Sequence, residues 1–217
     1  MRLSTLEIYG GKPESAETVL VYVPGKERGI RASELANFLR LDGVVYVSAS
    51  VWRRHAQLCC PSHADPSDSF WISDAVTVVS NLIDDLLARV NKRAHIVLVG
   101  VREGASVVAE YLYRNSTQLD AVAFLNGVAL SEKNVAEYCV EDLEGLPMLI
   151  TLRDLEARVL MQKAWEAAVI FEDMGAQVDI RVYPNDGLIE EGYEIQALGS
   201  LMQRQLRIKG ESFNAYH

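Results

Sequence analysis

Gly100-Val101-Arg102-Glu103-Gly104 follows an apolar run, His95 to Val99, and opens a segment, Ala105 to Arg114, that reads as a helix. A strand, a turn with a glycine on either side and a helix, in that order, expose the middle residue of the turn. The pattern G-x-S-x-G uses such a turn to present a serine for attack on acyl groups. Arg102 stands where that serine would be. A guanidinium stays protonated and only donates hydrogen bonds, so it cannot attack a carbonyl. It can hold an anion, because its planar fork and the positive end of the helix favour a carboxylate or phosphate together. A salt bridge to Asp154, Glu103 or Asp186 is the other role open to it, and would spare a cation the cost of lying unpaired in a closed cleft. Glu103 in the same turn suits a general base, provided burial raises its pKa toward neutrality. A glutamate in a first helical turn is also favoured simply by the macrodipole.

A second chemically dense stretch holds His55, Cys59, Cys60, His63 and Asp65, all side chains that can ligate zinc. Their spacing fits no structural zinc pattern, and adjacent cysteines chelate one ion poorly, so we expect neither a metal nor a cofactor. The reading is a lid between Ser48 and Phe70 that covers a cleft, walled or anchored by Trp52 and Trp71. Lys26 follows Gly25 at a strand end and is a candidate for the cleft rim. Trp165 falls in a helical stripe and is expected in the core.

The 217 residues are 49% hydrophobic, enough to bury the core of one substantial domain. With 21 Lys and Arg against 30 Asp and Glu, the formal charge of −9 disfavours nucleic acid and anionic membrane surfaces as partners. Three cysteines, two of them adjacent, give no disulfide framework, and the amino-terminal segment has no apolar stretch suited to a signal peptide or membrane span. A cytoplasmic location is the expectation.

The elements that must position these residues alternate. Leu6 to Tyr9 and Thr18 to Val23 read as strands of an antiparallel hairpin across Gly10-Gly11-Lys12-Pro13. Ala32 to Arg40 reads as a helix and Val44 to Val47 as a buried strand. Apolar residues from Ile72 to Val90 recur at steps of three and four, giving the clearest amphipathic helix. Ala121 to Leu125, Met148 to Thr151 and Val178 to Tyr183 read as further strands, Val159 to Met174 as a helix closed by Gly175, and Glu190 to Lys209 as a last helix. We therefore expect an α/β fold: a mainly parallel twisted sheet flanked by helices on both faces, with an N-terminal antiparallel hairpin. Residues 1–209 would form one domain, residues 210–217 a flexible tail, and ligands would bind at the carboxyl ends of the strands.

This order of elements resembles the α/β-hydrolase fold of the compact phospholipase and carboxylesterase type, over nearly the whole chain. Val23-Pro24-Gly25 looks like the family's His-Gly segment beside the oxyanion hole, and Phe70-Trp71-Ile72-Ser73-Asp74 is similar to the aromatic stretch before the elbow. Phe124-Leu125-Asn126-Gly127 sits where such enzymes carry a Ser-Gly. Leu149 to Asp154 resembles the segment of the triad aspartate, and Tyr183-Pro184-Asn185-Asp186-Gly187-Leu188 the segment of the histidine, with Leu188 in its place. The resemblance thus implies a degenerate triad, since a triad works only as a unit.

The function expected is a carboxylesterase-like protein lacking the serine nucleophile and the histidine base, binding a small acidic or acyl ligand, or a protein partner, in the former cleft. Gly25, Lys26, Trp71, Arg102, Glu103, Asp154, Asp186 and Leu188 would line it. Two alternatives stay open: a non-hydrolytic isomerase, epimerase or lyase, and an esterase or thioesterase of unusual arrangement, such as a lid cysteine acting with His63. Exposed apolar helix faces also permit a homodimer.

Overall fold

Continuous runs of β-branched and aliphatic residues bury both of their faces, and a strand of that kind belongs in the interior of a parallel sheet. The computed structural model describes residues 6–25, 31–49, 51, 69–115, 118–127, 143–153, 157–183 and 192–207. Within it β1 (Leu6–Tyr9), β2 (Thr18–Val23), β3 (Val44–Ala49), β4 (His95–Val101), β5 (Ala121–Leu125), β6 (Pro147–Arg153) and β7 (Gln177–Tyr183) form one sheet in the order β1-β3-β2-β4-β5-β6-β7. All neighbours pair parallel except β1 with β3. Every residue of β2, β3 and β5 is buried.

Helices cover both faces. α2 (Ser69–Arg89), α3 (Glu103–Arg114) and α4 (Ala157–Asp173) share one core, in which Phe171 stacks on Tyr113 at 5.3 Å and on Phe124 at 5.6 Å. α1 (Ala32–Leu39) and α5 (Tyr193–Gln205) close a second core on the other face, through Leu35, Leu39, Leu198 and Met202. Glu34 accepts from the backbone N–H of Arg31 at 2.9 Å and so holds the start of α1. Gly175, at φ 94, ends the α4 segment as its sequence predicts. Among the described residues no helix is long and apolar enough to cross a membrane.

Two expectations are corrected. β1 runs antiparallel to the sheet, but its partner is β3, with Leu6 opposite Ala49, and it makes no hairpin with β2. The cause is burial: β2 is covered on every residue and needs a neighbour on each side, whereas β1 keeps only Leu6 half-buried and leaves Ile8 and Tyr9 exposed. The connection through Gly10, Gly11 and the single 3-10 turn Pro13–Ser15 also exceeds the roughly two to five residues of a hairpin loop. Trp165, expected in the core, is 57% exposed. The stripe of α4 that meets the sheet is Ala164, Ala167, Ala168 and Phe171, and Trp165 lies one residue, about 100°, round from it.

Candidate functional site

In an open parallel sheet, ligands gather where the strand order reverses, outside the carboxyl ends. Here the chain passes from β2 to β3 on one side and then crosses to β4 on the other, so the strand order reverses between β2 and β4. Pro24 and Gly25 follow β2, and Arg102 follows β4.

Arg102 joins β4 to α3 in a conformation that side chains rarely adopt, φ 51 and ψ −121. Such a residue stores about 1–3 kcal/mol of strain and persists only where its surroundings over-determine it. The surroundings do so with bare backbone. A Cβ on Gly104 would stand 2.1 Å from the carbonyl oxygen of Val23 and 2.8 Å from that of Pro24. One on Gly100 would stand 2.6 Å from Cα of Ala105, and one on Gly127 2.6 Å from the carbonyl oxygen of Arg102 itself. Only glycine lets β2, β4, β5 and α3 converge so closely. The amide of Arg102 donates to the Leu125 carbonyl at 3.0 Å, and its own carbonyl accepts from the Ala105 amide at 2.9 Å. The result is a strained strand-to-helix turn with an arginine at its apex.

The arginine side chain is exposed and Glu103 is half-buried. Oε2 of Glu103 lies 2.6 Å from the point where a Cβ of Gly25 would stand, and Cβ of Arg102 3.2 Å from it. Three of the residues singled out from sequence, Gly25, Arg102 and Glu103, are therefore packed against one another. Arg102 is exposed, so a salt bridge there would offset less desolvation than one in a closed cleft.

Lys26, Asp154, Asp186 and Leu188 lie outside the described residues, as do His55, Cys59, Cys60, His63, Asp65 and Trp52. The backbone of Trp71 belongs to the first turn of α2, and its side chain also lies outside them. Among the described residues no three His, Cys, Asp or Glu side chains are grouped where they could hold a metal ion.

Sequence reasoning missed a pair at the same end of the sheet. Nε of Arg153, the last residue of β6, donates at 2.6 Å to Oε1 of Glu194 in the first turn of α5, with side chains 13% and 2% exposed. Beside it Tyr183, ending β7, stacks on Tyr193 at 5.3 Å. Together they pin the end of β6, the end of β7 and the start of α5, the elements that precede Asp154 and bracket Leu188. Forty-one positions separate the two charges, and no local spacing announces them.

Solved structures share this architecture. The chain is similar to a phospholipase/carboxylesterase from Dyadobacter fermentans, with a TM-score of 0.71 and 23% identity over 90% of this chain and 94% of that one. It is similar to a Bacillus cereus carboxylesterase, at 0.69 and 12% over 92% and 93%. It also resembles YahD, solved with malic acid, at 0.68 and 13% over 93% and 98%. The fold is thus that of the α/β-hydrolases. No family model matches the chain, and no curated protein does.

Proposed function

We propose that this chain uses the α/β-hydrolase scaffold for binding, taking a small carboxylate or acyl-bearing acid in the crevice above β2 and β4, and carries out no acyl transfer. Arg102 at the strained apex carries the reading. Its backbone has the display geometry of a nucleophile, while the displayed group donates hydrogen bonds and attacks nothing. Glu103 supports it. In acyl transfer on this fold, the amide after the apex and one from an early strand loop hold the developing oxyanion. Here a carboxylate packs on Gly25, which disfavours an oxyanion, while the exposed guanidinium, with five donors, can exchange an internal contact for a ligand carboxylate on the solvent side of the turn. Leu188 and Pro24, where the resemblance places histidines, agree with the same reading.

Two measurements test it together. A fluorophosphonate probe and a short-chain aryl ester should give neither labelling nor turnover. Malate, suggested by the acid held in one structural neighbour, should raise the melting temperature of the wild type and leave that of Arg102→Ala unchanged. Turnover abolished by a single substitution would overturn the proposal, and so would malate stabilising both forms equally. The half-buried place of Glu103 favours one second reading, a proton transfer of the isomerase, epimerase or lyase kind. Exchange of the α-proton of a bound acid with deuterated water, lost in Glu103→Gln, would establish that instead.

A further inference from the structure

Among the described residues, β7 is the last strand of the sheet, seven residues long, with no strand beyond it. A free edge of that length is a template for another strand, and the opposite edge, β1, has only four residues. Along β7, Val178 and Ile180 pack toward the core beneath α2, α3 and α4, and Tyr183 toward the core beneath α1 and α5. Even positions therefore share the face of α4, and odd positions the opposite face. Val182, an even position, is 44% exposed.

α4 adds to that border. Its inward stripe is Ala164, Ala167, Ala168 and Phe171, so Trp165 and Val169 project from the flank reached by turning onward along the helix. A right-handed crossover from β6 to β7 turns that flank toward the free side of β7. Trp165 is 57% and Val169 53% exposed. On the other face of the strand, Arg181 donates to Asp179 at 2.7 Å.

We infer that β7 pairs antiparallel with β7 of a second copy, about a two-fold axis at Ile180, so that one sheet runs through both molecules. The sequence of the strand is complementary to itself in this register alone. Asp179 falls opposite the partner's Arg181, Arg181 opposite the partner's Asp179, and Val178 opposite the partner's Val182. Four charges then alternate in sign across the axis, an arrangement that stabilises cross-strand pairs. A parallel, in-register pairing would set Asp179 against its own copy and Arg181 likewise.

The helices agree with this geometry. α4 packs on both β6 and β7, and strands lie about 4.8 Å apart, so the two α4 helices would run about 10 Å apart across the axis, the spacing at which helices pack. Trp165 and Val169 would meet their symmetry mates there. A second copy satisfies the alternating charges and the helix spacing at once, which is why it is the occupant these residues select.

Sedimentation velocity across the micromolar range tests the inference on the full chain. The wild type should run at twice the mass of one chain. Asp179→Arg and Arg181→Asp should each raise the dissociation constant about tenfold. The double variant, which swaps the charges, should return it to within a few-fold of wild type. Trp165→Glu, at a position exposed in the single copy, should weaken association at least as much while its circular dichroism stays native. A wild type that is monomeric throughout overturns the inference. So does a dimer indifferent to these substitutions, or a double variant no better than the singles.

Discussion

At the scale of the residue, the side chain and the backbone of Arg102 separate. Its φ of 51 belongs to a region that glycine occupies without a steric penalty, so Arg102→Gly should raise stability by about 1 kcal/mol in urea denaturation while removing any response to malate. A loss of stability would mean that the guanidinium's contacts outweigh the strain. The buried pair of Arg153 and Glu194 points the other way. Glu194→Ala removes the carboxylate to which Arg153 donates in a site only 13% exposed, and should cost about 3 kcal/mol by the same measurement. Arg102 was legible in the sequence because a glycine-flanked turn between strand and helix has a fixed local pattern. Arg153 and Glu194 were not, because strand and helix bring them together only in the folded chain.

At the scale of the element, the elbow is a junction of four segments closed by glycine. Gly104→Ala would drive a methyl into two backbone carbonyls and should be severely destabilising, by about 3 kcal/mol or more, read as a collapse of the melting temperature. Gly25→Ala meets chiefly the end of the Glu103 side chain, which can move, and should be milder. That difference in melting temperature checks whether backbone or side chain sets the fit. The parallel strands and the long helices were readable from their apolar runs and periodicity. The partner of β1 was not: alternation and turn residues predict a hairpin, and only the burial of β2 on every position assigns both of its neighbours to other strands. Trp165 shows the same limit, since periodicity counts an aromatic toward a stripe that three alanines already fill.

At the scale of the whole molecule, two packed faces leave tyrosines deep inside. Burial pushes the Tyr111 hydroxyl up to about 12, with a smaller push from the Asp84 carboxylate, and burial pushes Tyr46 up as well. A raised acid keeps its proton in the folded chain after the unfolded chain has ionised. The contribution to stability is therefore complete below the ordinary tyrosine value near 10, and drains away as pH rises from there through about 12. Urea midpoints at about pH 8 and about pH 11 should fall further in the wild type than in Tyr111→Phe. Equal falls would show that other groups govern alkaline unfolding.

The elbow also has a use beyond whatever now occupies it. Since the constraint comes from surrounding main chain, the identity of the group at its tip is largely decoupled from the architecture beneath. Cysteine, a non-natural ligand for a metal, or a photocrosslinker installed at that point would be delivered with the same orientation, which makes the chain a ready mount for grafted reactivity.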